Sequence, residues 1–117
     1  IKDIMMIESE KKMEKLINNY LEHLTNDYDS WCDKAKIFHT ARDRKYTFTE
    51  GRNYYKIIHL MSNGQRSVHS FVVKKATKKF GVGAILKAAG WNAPATNFAR
   101  GTIYDANTYE THRWSGI

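Results

Sequence analysis

SNGQRSVHSFVVKKATKKFGVGAILKAAGWNAPATNFARG, residues 62–101, contains five of the chain's seven glycines, its only proline and Trp91. Asn63-Gly64 is the strongest hairpin signal in the chain, because a two-residue type I′ loop needs positive φ at both central positions. The apolar runs on either side, Tyr54–Met61 and Gln65–Lys74, read as the paired strands. A two-residue loop sets a register in which His59 faces Val68, Ile57 faces Ser70 and Tyr55 faces Val72. On the other side Leu60 faces Ser67, Ile58 faces His69 and Tyr54 faces Val73. This register puts His59 and His69 on opposite faces. Each face carries several large apolar side chains, so both are expected to be covered: one by an N-terminal helix, the other by C-terminal segments or another subunit.

Upstream of the hairpin, Tyr46–Thr49 alternates as a strand does, and Glu50-Gly51 marks a turn. Residues 4–27 read as a helix, with Met13, Leu16, Ile17, Tyr20, Leu21 and Leu24 forming one apolar stripe at helical period. Asn26–Asp29 reads as a polar break, and Ser30–Ala41 as a short second helix capped by Asp29 or Ser30. Downstream, Lys74–Lys79 is a basic loop, Gly81 and Gly83 are bends, and Ala84–Lys87 is a further strand or one helical turn. Pro94 biases Ala93 away from helix, so Trp91–Pro94 is expected to be irregular and held by the indole of Trp91 packed on the sheet. Asn97–Tyr104 reads as a turn into a last short strand. The sum is an α+β fold: an N-terminal amphipathic helix packed on a small antiparallel sheet of three to five strands.

The chain has 117 residues, 42% of them hydrophobic, which suits a single domain spanning 1–117. The net charge of +7 is unevenly placed. Residues 1–29 carry four Lys/Arg against seven Asp/Glu, a net −3, whereas residues 30–117 carry fifteen against five, a net +10. An acidic helix (1–29) therefore precedes a basic body (30–104), and 105–117 reads as a tail that Tyr109 and Trp114 could anchor. The sole cysteine, Cys32, excludes an internal disulfide and a cysteine-based zinc site, and reads as a small hydrophobe beside Trp31. No apolar run approaches the ~18 residues of a membrane span, so no membrane is expected. Ile4–Ile7 is too short for a signal-peptide core. The chain opens on Ile1 rather than methionine, as expected of a fragment or of a numbering that omits upstream residues.

Chemistry-bearing patterns are sparse. The histidines lack the spacing of a zinc site, and Gly81-Val-Gly83 lacks the rest of a phosphate loop. Ser67 and Ser70 flank His69 but strand alternation separates them from it, and no nucleophile-elbow motif is present. No catalytic residue, cofactor or metal is expected. The basic surface carries the functional expectation. Arg42, Arg44, Lys45, Arg52 and Arg66 lie at loops and strand ends, as do Lys74, Lys75, Lys78, Lys79 and Arg100. Trp91 and other aromatics are interleaved with them. Cations that neutralise phosphates and aromatics that stack bases are the recurring parts of single-strand binding sites.

Ser67-Val-His-Ser-Phe-Val72, the lysine connection, Ile85-Leu-Lys-Ala-Ala-Gly-Trp-Asn-Ala-Pro-Ala95 and Ala99-Arg-Gly101 together resemble a group of small uncharacterised proteins of tailed bacteriophages. Their shared outline is S-V-H-x-F-V, a turn, a short strand ending K-x-A-x-W, then x-x-P-A and a basic residue. The resemblance covers roughly residues 46–104. It implies a phage origin, a location in the infected bacterial cytoplasm or the virion, and pairing of Ala84–Lys87 with the Ser67–Val73 strand. No activity comes with it. The expected function is non-enzymatic binding of nucleic acid. The alternative is a virion component or protein-interaction module, which self-assembles or binds another phage or host protein.

Overall fold

The structure, a computed structural model, describes residues 2–35, 45–61 and 63–117. Helix α1 (Lys2–Lys34) precedes four strands, β1 (Lys45–Glu50), β2 (Tyr54–Leu60), β3 (Arg66–Val73) and β4 (Ala84–Gly90). Two short strands, β5 (Ala93–Pro94) and β6 (Gly101–Thr102), and one helical turn, α2 (Thr108–Thr111), complete the chain. All pairings are antiparallel, in the order β1-β2-β3-β4-β5, with β6 also against β4. The class is α+β, as the sequence implies.

The apolar stripe of α1 is the helix's buried face: Met13, Ile17, Tyr20, Leu21 and Leu24 pack on Tyr55, Ile57, Val72 and Ile85 of the sheet. The polar break at Asn26–Asp29 does not occur, and the separate helix from Ser30 is instead the last part of α1, ending at Lys34. Its projected extension over 36–41 lies outside the described residues. Turn-forming residues are absorbed because their side chains bond in ways that leave the helical backbone ladder intact. Thr25 Oγ1 donates back to the Leu21 carbonyl at 2.9 Å, and Asp27 reaches away to the backbone N–H of Trp114. The stripe also continues, since Tyr28 and Cys32 are both buried. Burial at helical spacing outweighs a few tenths of a kcal/mol of propensity per residue.

The β2–β3 hairpin departs from a two-residue loop. The N–H of Gly64 bonds the Met61 carbonyl, and the N–H of Met61 bonds the Gln65 carbonyl, each at 3.0 Å. Three residues therefore lie between Met61 and Gln65, with Gly64 at φ 85°. This loop shifts the pairing by one, to Leu60 with Arg66 and His59 with Ser67. Further along, Ile57 pairs with Ser70 as the sequence implies, but Ile58 pairs with Val68, leaving His69 as an extra residue. A bulged residue breaks the pleat's alternation. His69 thereby joins Ser70 on the helix-facing side, where its ring lies 6.1 Å from Tyr46 and 6.2 Å from Tyr20. The ring of His59 is 4.4 Å from the same Tyr46. The opposite-face assignment of the two histidines is overturned by this bulge.

Residues 105–117 are anchored through Tyr109 and Trp114, as the sequence suggests. Tyr109, Trp114 and Ile117 pack on the core beneath α1, and His112 is 1% exposed. The C-terminal segment thus helps cover the face that α1 covers, not the opposite one. The opposite face buries Phe71, Val73 and Leu86 under Phe80 from the lysine loop. Five consecutive buried residues at the end of β3 show that both faces are covered. Among the described residues no helix is long and apolar enough to cross a membrane.

Candidate functional site

The face opposite α1 collects the side chains best suited to a ligand. Alternation along β2 points Tyr54 and Lys56 to this side, and Lys56 pairs in register with Phe71 and, through it, with Leu86. Beyond Ala88 the register of β4 shifts, so that Ala93–Pro94 folds back on it. The returning chain is held by backbone bonds, such as Ala95 N–H to the Lys87 carbonyl at 2.7 Å. Trp91 is therefore not needed as an anchor, and its expected burial on the sheet is overturned: it is 46% exposed. Its ring lies 4.6 Å from Lys56 Nζ, and the same ammonium donates to Asn92 Oδ1 at 2.5 Å.

A second pair of the same kind stands beside β6. Gly101 pairs with Ile85 of β4, and the preceding Arg100 donates its backbone N–H to the Ile85 carbonyl at 2.8 Å. Its guanidinium lies 4.2 Å from the ring centre of Phe98, which is 49% exposed. The buried Nε of Arg100 has no hydrogen-bond partner among the described residues.

The expected basic residues do not form one patch. Lys45 and Arg66 lie at the end of the sheet that carries the β2–β3 loop, since both register with Leu60. Arg42 and Arg44 lie outside the described residues. Arg52, Lys74, Lys75, Lys78 and Lys79 lie at the opposite end, where the N–H groups of Lys74 and Lys75 both bond the Asn53 carbonyl. Within this cluster the cations differ. Lys74 is paired with Glu50 at 2.7 Å, and Lys79 donates to the Thr96 carbonyl at 2.6 Å. Arg52, Lys75 and Lys78 are exposed. Between this end and Asn92 lies a groove of about 350 Å³ floored by Tyr54, Lys56 and Phe71. Lys56 and Asn92 are absent from the sequence-based site residues, whereas Tyr54 is among the aromatics expected to be interleaved with the cations. The signal for Lys56 is legible in retrospect: it is the one charge in the apolar run Tyr54–Met61.

Histidines gather on the other side, around the C-terminal segment. His23 Nε2 donates to the His112 carbonyl and His69 Nε2 to the Arg113 carbonyl, both at 2.8 Å, and Tyr46 Oη donates to the Trp114 carbonyl at 3.1 Å. His112 bridges Tyr20 Oη, at 2.7 Å, and the Arg100 carbonyl, at 2.9 Å. Burial lowers the pKa of both His69 and His112 from the ordinary histidine value and pushes the Tyr20 hydroxyl well up. Ser70 Oγ is 2.9 Å from His69 Nδ1 and Ser67 Oγ is 3.2 Å from His59 Nδ1. The bulge makes the first contact, which simple alternation forbids. Ser70 is fully buried, and the far nitrogen of His59 meets Tyr46 Oη rather than the carboxylate that orients a nucleophile's base. These bonds lock the C-terminal segment to the sheet. Among the described residues no three His, Cys, Asp or Glu side chains converge as metal ligands.

No curated protein and no solved structure matches the chain. Residues 2–117 match a family of unknown function, DUF7717, and the chain belongs to that family.

Proposed function

We propose that this DUF7717 protein binds nucleic acid through the face opposite α1 and the adjoining basic end of the sheet. The observation that carries this reading is the pair of half-exposed aromatic rings, Trp91 and Phe98, each with a cation against it on one face. An exposed aromatic offers a base a surface to stack on, and the cation beside it meets the phosphate. Arg52, Lys75 and Lys78 extend the positive surface at one end of the same sheet. In this reading the resemblance to tailed-phage proteins sets the place of action as the infected bacterial cytoplasm or the virion.

The test is a gel mobility shift with a mixed-sequence oligonucleotide across salt concentration. Binding at ~50 mM salt that weakens linearly in log–log form supports the reading, because counterions are released as phosphates are neutralised. Absence of binding at that salt removes it. A second reading, a protein-interaction module, is favoured by Trp31, which is 42% exposed and lies 5.0 Å from the Trp114 ring. Measuring the mass in solution, alone and with candidate phage or host proteins, tests it.

A further inference from the structure

We infer that the ligand is single-stranded, and that an unpaired base enters the groove between the β1–β2 turn and Asn92. The inference rests on the nucleic-acid reading above and narrows it to a class of substrate.

The shape comes first. The groove holds about 350 Å³, near the small end of the roughly 300–1,000 Å³ of ligand pockets. Proteins that read a duplex through its major groove, about 12 Å wide, do so with a projecting helix or ribbon. This site is the reverse, a recess walled by the turn after Glu50 on one side and by Asn92 on the other. A base turned out of a strand enters a recess, and a base held in a duplex does not.

Charge decides which part of the nucleotide goes in. Glu50 lines the groove and is paired with Lys74 at 2.7 Å, so the Lys74 charge beside that wall is already met, while Arg52 of the same turn is exposed at its edge. The exposed cations, Arg52 and Lys75, are on the rim, next to each other through the Asn53 carbonyl. Phosphates belong on the rim and the base inside. The polar groups of the recess suit a base edge. Asn92 Oδ1 accepts from Lys56, which leaves the amide nitrogen to donate, and the carboxylate of Glu50 accepts. Every nucleobase offers at least one donor or acceptor to such a pair, so the recess selects unpaired bases without selecting one base. Trp91, held over Lys56, gives the neighbouring base a stacking surface.

The experiment compares a 12-residue oligothymidylate with the same strand annealed to oligodeoxyadenylate, by fluorescence anisotropy at ~50 mM salt. The expected result is tighter binding of the single strand. Trp91→Ala should weaken single-strand binding by about 5- to 150-fold and leave duplex binding unchanged, as loss of one base–aromatic stack does. Trp91→Phe should restore most of it. The half-exposed indole carries little of the core, so the thermal midpoint of Trp91→Ala serves as the folding control. Equal binding of both probes, or a folded Trp91→Ala variant with undiminished single-strand affinity, overturns the inference and leaves nucleic-acid binding standing. No binding of either probe overturns both.

Discussion

The hydroxyl of Tyr20 lies 2.7 Å from Nδ1 of His112, tying the middle of the first helix to a residue 92 positions further along the chain. His112 passes the connection on, because its Nε2 donates to the Arg100 carbonyl at 2.9 Å. With that nitrogen protonated, Nδ1 accepts from the tyrosine. One imidazole thus holds α1 and the strand entry at β6 together, and both ends of the bond are fully buried. Removing either partner leaves a polar atom without water.

Tyr20→Phe keeps the ring and deletes only the hydroxyl. It should cost about 1–3 kcal/mol, the penalty of a buried acceptor left unsatisfied. The thermal midpoint should fall by roughly 4 °C per kcal/mol for a chain of this size. An unchanged midpoint would show that His112 Nδ1 finds another donor.

Acid should weaken the fold through His69 and His112. Burial holds both in the neutral form, with pKa values below the ordinary histidine value. The unfolded chain takes up protons near pH 6.5 and the folded chain does not, so stability rises with pH across this window. The contribution is complete above about pH 6.5 and is lost as pH falls towards the lower folded values. Both groups act in the same direction, so their contributions to the slope add. Urea unfolding at pH 7.5, 6.5 and 5.5 measures it, and His69→Gln should roughly halve it.

Two glycines separate backbone strain from collision. Gly64 has φ +85° with open space around it, whereas Gly83 has φ +91° and a Cβ there would lie 2.4 Å from the Tyr104 ring. Gly64→Ala should cost about 1–2 kcal/mol, the left-handed penalty alone, and Gly64→Val more because it is β-branched. Gly83→Ala should cost more than Gly64→Ala. Combining it with Tyr104→Ala should recover the difference, since that ring is exposed and carries little else. Equal costs at the two positions would mean that Tyr104 swings aside freely.

The lysine loop should contribute less to salt dependence than its charge suggests. Lys74 is engaged by Glu50 and Lys79 by the Thr96 carbonyl, so Lys75 and Lys78 are the cations most available to phosphate. Changing these two to Gln should reduce the slope of log affinity against log salt by about 1.4–1.8. Adding Lys74→Gln and Lys79→Gln should change it little further. A slope that drops in equal steps for all four lysines would show that the ion pair opens on binding.

The pairing of β4 with β3 came only from the resemblance; the α+β class, the stripe of α1 and the β2–β3 hairpin were legible in the residues themselves. Each rests on a period or a turn signal carried by neighbouring residues. Met13 to Leu24 repeat at helical spacing, and Asn63-Gly64 marks a reversal whatever its loop length. Such signals are local, so they survive without knowledge of the rest of the chain. The basic character of the body was equally plain, because charge is additive.

What only the tertiary structure decided is which side each residue serves. The side on which His69 falls depends on one extra residue in β3, and a strand's alternation gives no sign of a bulge whose neighbours are all apolar or small. The continuation of α1 through Asn26–Asp29 depends on Asp27 finding the N–H of Trp114, 87 positions away. Trp91 stayed half-exposed because β5 supplies the hydrogen bonds that an irregular segment would otherwise lack. The candidate site came from the same source. Lys56 and Asn92 are separated by 36 positions and meet because the turn between β4 and β5, which carries Asn92, folds back to within reach of β2. A sequence shows the period of an element, but long-range partners are set by which segments bury each other, and that is a property of the packed chain alone.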